Sequence, residues 1–115
     1  MIFRDVPLQD GLYKVDFHTV HGTGSGVIYA ISGKIRGGNS GFAFIGTYAG
    51  KGEEITAKVT TQRHNYDPNF KPLFGIDSVT LTLKGSISGD MIDFEGTALQ
   101  LPGVNFKAVL TRISD

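Results

Sequence analysis

The chain contains no cysteine. That excludes disulfides, a thiol nucleophile and thiolate metal sites, and it fits a reducing compartment. No apolar run approaches the roughly 20 residues that a membrane-crossing helix needs. Neither sign of charge is in excess, because 11 basic residues balance 11 acidic ones. The basic stripe of a nucleic-acid binder is therefore missing, and direct nucleic-acid contact is not expected. A helical period is absent throughout. The opening MIFRDVPLQD carries acids and a proline where an export signal would be apolar. Together these absences predict a cytoplasmic protein with no membrane association.

What is present points to one small globular unit. The 115 residues suffice for a single core, hence one domain over 1–115, and 40% of them are apolar. The most distinctive stretch runs from Gly33 to Asn65. It opens with a turn at Ser32-Gly33-Lys34 and a short strand, Lys34 to Arg36. The knot Gly37-Gly38-Asn39-Ser40-Gly41 follows. Glycine marks positive φ or close backbone approach, so the knot reads as a bulged corner that turns a sheet sharply. FAFIGTY follows, then a turn at AGKG and an alternating strand from Glu53 to Gln62.

The rest of the chain alternates in the same way. In Gly11 to Val20, Tyr13, Val15 and Phe17 share one face, while Lys14, Asp16 and His18 share the other. HGTGSG reads as a turn, and Val27 to Ile31 (VIYAI) as a strand apolar on both faces. After the loop His64 to Gly75, where Asp67 to Phe70 offers at most one helical turn, Val79, Leu81 and Leu83 alternate with Thr80, Thr82 and Lys84. GSISGD reads as a turn. Ile92, Phe94, Gly96 and Ala98 line one side of the next strand. A turn around Pro102 leads to Val104–Ile113, with Val104, Phe106, Ala108 and Leu110 on one face. Eight strands with short links predict an all-β fold: an antiparallel, up-and-down, lipocalin-like barrel. The expected inward aromatics are Tyr13, Phe17, Tyr29, Phe44, Tyr48, Phe94 and Phe106.

No catalytic constellation stands out. His21 to Gly26 resembles a phosphate-cradling loop, but the strand VIYAI follows it where a helix is needed. His18, His21 and His64 show no zinc spacing. Ser25, Ser40 and Ser78 lie in no nucleophile elbow. Asp93 and Glu95 share a strand face opposite the apolar one, as solvated outer charges do. No enzyme activity, cofactor or metal is expected. Arg63-His64-Asn65-Tyr66 closes a strand at one barrel end, where it could meet a polar ligand group.

With these strands in place the chain resembles the GrlR family, small lipocalin-like barrels known as negative regulators of type III secretion gene expression. The resemblance covers nearly the whole chain. It rests on Gly11-Leu12-Tyr13, Gly24-Ser25-Gly26-Val27, and Gly33 to Ser40. It continues through the aromatic-x-aromatic run, Gly46-x-Tyr48, Arg63-His64 and Phe94-Glu95-Gly96. The family often has Asp after the glycine pair, where this chain has Asn39. The resemblance implies a homodimer of barrels that binds a transcriptional activator protein, with an acidic surface loop tied to that binding. The matching turn here is Lys51-Gly52-Glu53-Glu54, which makes Lys51, Glu53 and Glu54 the partner-binding residues.

Two functions from different classes follow. One is a regulatory protein working through a dimeric outer surface. The other is a carrier or sensor of a small apolar or aromatic molecule, held inside by Tyr29, Phe44, Tyr48, His64 and Phe94. The carrier requires a cavity of roughly 300 Å³ or more. The dimer follows from VIYAI and FAFI: only one face of each strand can point inward, so Ile28 and Ala30, or Ala43 and Ile45, must point out and form an apolar patch. The competing covers for that patch are the His64–Gly75 loop and the N-terminal arm with Ile2 and Phe3.

Overall fold

A computed structural model describes residues 9–115. The expectation for the arm bearing Ile2 and Phe3 falls outside that span. The described residues form eight antiparallel strands and no helix: β1 Gly11–Thr19, β2 Gly22–Ile31, β3 Lys34–Gly38, β4 Phe42–Lys51, β5 Glu54–Arg63, β6 Ser78–Ser88, β7 Met91–Ala98 and β8 Leu101–Ser114. Each pairs with its chain neighbours, and β1 pairs with β8, so the sheet closes into a barrel. Closure leaves no unpaired edge. It also sets β2–β4 on one side and β6–β8 across from it.

The inward faces of β1 and β5–β8 are those the alternation predicts. Tyr13 and Val15, Ile55, Ala57 and Val59, Val79, Leu81 and Leu83, Ile92 and Phe94, and Phe106, Ala108 and Leu110 are all buried in one core. Two-residue turns join several hairpins. Ser32 and Gly33 both have positive φ (50° and 82°), the requirement of a type I′ turn, whose twist matches the flanking strands. Gly52 and Gly89 have φ of 63° and 62° at the first position of their turns, a place that favours glycine.

Several boundaries differ from the sequence reading, because glycine or proline within a strand resembles a turn: β3 runs on to Gly38, and β4 continues past Ala49 and Gly50 to Lys51. β2 begins at Gly22, so most of HGTGSG is strand. Gly24 lies opposite Phe17, and a Cβ there would sit 2.6 Å from the Phe17 ring. The glycine gives that ring its space. β6 likewise runs through Gly85 to Ser88. β8 starts at Leu101 and includes Pro102, next to a register shift between Thr97 and Ala98, where a proline costs no ladder bond.

The glycine knot is not a bulge. β3 pairs without a register shift with β2 and with β4. Its glycines answer to space: a Cβ on Gly37 would run into the Val27 carbonyl and the Ile28 Cα, and one on Gly38 (φ 158°) into the Phe42 carbonyl. The corner itself is made by Asn39. Its Oδ1 accepts hydrogen bonds from the backbone N–H of Gly41 (2.9 Å) and Phe42 (2.8 Å), while its Nδ2 donates to the Ser25 carbonyl (2.8 Å). An Asp would supply the first two bonds but has no donor for the third.

Candidate functional site

Two regions were expected to carry function, the barrel interior and the outer face of its apolar strands. The interior is largely filled. The core leaves an apolar cavity of about 70 Å³, among whose lining residues are Phe17, Phe44, Leu83, Phe94 and Phe106. A smaller void of about 40 Å³ adjoins it beneath the 64–77 loop. Phe74 from that loop is buried in the barrel mouth and stacks on Phe106, with centroids 6.1 Å apart. Phe17 meets Phe44 edge-on at 5.7 Å and Phe106 at 5.8 Å. Aromatic packing of this kind closes the end of the barrel.

The loop is tied down at both ends. The Arg63 N–H donates to the Asp77 carbonyl (2.8 Å) and its Nε to the Asp77 carboxylate (2.7 Å). The Arg63 guanidinium lies between the rings of Phe42 (5.0 Å) and Tyr66 (4.6 Å), a cation–π stack. The helical turn allowed at Asp67–Phe70 is a single hydrogen-bonded turn, the Phe70 N–H donating to the Asp67 carbonyl at 3.0 Å.

Of the five residues expected to hold a ligand, Phe44 and Phe94 do meet at the cavity. The other three are elsewhere. Tyr48 packs against the core at the opposite end of the barrel, near Asp10, and burial raises its pKa above the usual phenol value. Tyr13 lies at the same end and is also raised, again mainly by burial; its hydroxyl donates to the Gln9 carbonyl at 2.7 Å. His64 is exposed, its Nε2 lying 2.9 Å from the Asn39 carbonyl. A carbonyl only accepts, so that nitrogen carries the proton. His64 thus braces the loop and does not face the cavity.

Tyr29 is the clear correction: it points outward and is 39% exposed. The correction extends to the dimer residues, since Ile28 and Ala30 are buried in the core and cannot form an outer patch. Cross-strand partners share a face. Ile28 lies opposite Tyr13, and Ala30 opposite Ile35, both inward residues. The pairing therefore turns Ile28 and Ala30 in, and sends Val27, Tyr29 and Ile31 out.

An outer apolar face remains, built from the other half of VIYAI. Ile45 is 44% exposed and Ala43 half-buried on β4, with Val27, Tyr29 and Ile31 exposed on β2. β3 lies between them and places Arg36 directly between Tyr29 and Ile45. The partner-binding residues suggested by the resemblance, Lys51, Glu53 and Glu54, are all exposed at the β4–β5 tip. The Glu53 carbonyl accepts from the Ile87 N–H (2.9 Å), which holds that tip against β6.

No metal-binding group of His, Asp and Glu occurs among the described residues. Ser40, His64 and Asp67 do come together at the loop. The Ser40 hydroxyl donates straight to the Asp67 carboxylate, while His64 faces a backbone carbonyl. A hydroxyl bonded to a carboxylate, with the imidazole turned away, is not the nucleophile–base–orienter order of acyl transfer. That hydrogen bond, with one from the Asn69 N–H, lowers the Asp67 pKa. The trio is a loop clasp that no sequence motif announces, because its members come from two separate loops.

The chain matches no protein-family model, and no curated protein is similar to it. The resemblance to GrlR proteins therefore rests on the quoted residues alone.

Proposed function

We propose that this chain is a non-catalytic regulatory protein that works by protein–protein contact on the outer face of β2–β4. Its role follows the family it resembles: a cytoplasmic, self-associating barrel that restrains a transcriptional activator. The observation that carries the reading is the cluster of Val27, Tyr29, Ile31, Ala43 and Ile45 on the outside of β2 and β4, with β3 between them. Tyr29, Ile31 and Ile45 are large side chains that a lone barrel leaves in water. Burial of such a patch drives association, and isologous pairs are its commonest outcome. The β4–β5 tip with Lys51, Glu53 and Glu54 ends one strand of that face, so an assembly would display it twice.

The carrier reading has less support. A cavity of about 70 Å³ is well below the roughly 300 Å³ of a small-molecule site, so an occupant would need Phe74 and the loop to lift away. A panel of apolar dyes tests it, with Phe94→Ala as the variant that enlarges the cavity.

Sedimentation at micromolar concentration tests the main reading. The unmodified protein is expected to run as a dimer and Ile45→Asp as a folded monomer. A protein that sediments as a monomer and binds no polypeptide on this face overturns it.

A further inference from the structure

We infer that the outer face of β2–β4 accepts an acidic, apolar segment of a partner protein, and that this segment competes with a second copy of the chain for the face. The inference rests on the interaction reading above and adds the chemistry of the partner.

Charge on this chain is segregated although it sums to zero. From Phe17 to Gly52 there is no acidic residue. That stretch contains all of β2, β3 and β4, so the apolar face has cations and no carboxylate of its own. Lys34 lies beside Ile31, and Arg36 sits between Tyr29 and Ile45. Lys58 stands on β5 opposite Thr47, in the row that also holds Lys34. All three are exposed. Lys14, opposite Val27, is already paired with Asp16 at 3.1 Å. Across the barrel the outer row of β6–β8 alternates instead, Lys84–Glu95–Lys107, with Asp93 nearby.

Arg36 is the centre of the face. Its Nη1 donates to the carbonyls of Ile35 (2.7 Å) and Gly46 (3.0 Å), which lays the guanidinium along the sheet. Its Nε and Nη2 make no hydrogen bond among the described residues, and those two donors form one side of the fork that reads a carboxylate. A held arginine among Tyr29, Ile45 and Val27 has the composition of a binding hot spot. Glutamates or aspartates interleaved with apolar residues match it in both sign and polarity.

The second copy is the weaker fit. An isologous contact sets a patch against itself, so Lys34 and Arg36 of both copies would crowd one interface. The two occupants thus respond oppositely to salt: screening relieves the self-contact and weakens the acidic contact.

The probes are a short labelled peptide alternating Glu with Leu and Tyr, the same peptide with Gln for Glu, and vesicles of phosphatidylglycerol or phosphatidylcholine. The Glu peptide should bind about tenfold or more tightly than the Gln peptide at low salt, lose that margin at about 0.3 M salt, and shift the protein from dimer to monomer. Lys34→Glu with Lys58→Glu should weaken it by about tenfold, while Lys84→Glu with Lys107→Glu leaves it unchanged. Circular dichroism confirms that each variant is folded. Equal binding of the two peptides overturns the inference, and so does binding to phosphatidylglycerol vesicles without binding to the Glu peptide. If Ile45→Asp abolishes binding of both peptides and the charge variants do nothing, the face stands and the acidic partner falls. If no polypeptide binds and the protein is a monomer, both fall.

Discussion

The β2–β4 side and the β6–β8 side of the barrel are built alike within and unlike without. Inside, both present buried aliphatic and aromatic residues: Ile28, Ile35 and Phe44 on one side, Leu83, Phe94 and Phe106 on the other. Both also bring neighbouring strands close at a glycine. A Cβ on Gly37 would strike the Val27 carbonyl, and one on Gly96 the Thr82 carbonyl. Outside, β2–β4 carry Tyr29, Ile31 and Ile45 with Lys34 and Arg36, while mid-strand β6–β8 carry Thr82, Lys84, Asp93, Glu95 and Lys107 and expose Met91 and Ile113 only toward their strand ends. A common interior means that both sides serve the fold equally. The difference on the surface is therefore not required by folding, which is why the proposed function is placed there.

The sharpest way to break this comparison is to exchange inside for outside within one strand. Ile28→Ala should cost about 2–5 kcal/mol, as should Leu83→Ala on the other side, because each leaves a cavity in the core. Tyr29→Ala, one residue along, should stay within about 0.5 kcal/mol in the separated protein, as surface changes do. Urea unfolding measures all three. A Tyr29→Ala loss larger than that of Ile28→Ala would reverse the orientation assigned to β2.

The glycines come next. Gly37→Val and Gly96→Val should each destabilise by about 1–3 kcal/mol or more, the range for forcing atoms into packed space. Near-equal losses support equal interior construction of the two sides. If Gly37→Val folds as stably as the unmodified protein, the close approach of β2 and β3 is wrong.

A smaller effect on stability, but the decisive one for function, separates the outer faces. Ile45→Asp should abolish self-association, whereas Thr82→Asp on the far side should leave sedimentation unchanged. Equal behaviour of the two variants would remove the distinction between the faces.

The smallest effects lie at the rims that both faces share. Tyr13 and Tyr48 have phenol pKa values raised above 10.0 by burial. The folded state therefore favours their neutral form. That contribution is complete below pH 10.0, and it is lost as pH rises through the folded values. Phenolate absorbance from this end should appear together with unfolding, and Tyr48→Phe should soften the alkaline transition. At the other end Asp67 is lowered below 3.8 by the Ser40 hydroxyl and the Asn69 N–H. Its contribution is present above 3.8 and disappears as pH falls through the lower folded value. Asp67→Asn should speed amide exchange in the 64–77 loop at neutral pH and leave both sheet faces unaffected.

The amino-acid sequence by itself determined the strand count, the closed antiparallel order and the inward faces of five strands. Where polar and apolar residues alternate strictly, as in β5 or β6, only one orientation buries the apolar set, and a one-residue slip would bury Thr56 and Lys58. It also identified Phe44 and Phe94 as interior and Lys51, Glu53 and Glu54 as an exposed tip. Tertiary structure alone decided the rest. VIYAI is apolar on both faces, so its own pattern holds no information about direction. Its orientation came from its neighbours: Tyr13 opposite Ile28 and Ile35 opposite Ala30 both face inward, and paired residues must share a face. The same pairing placed Arg36 between Tyr29 and Ile45, residues 7 and 9 positions away from it in the chain. The cation-bearing apolar face is thus a product of strand register, which local sequence periodicity cannot encode.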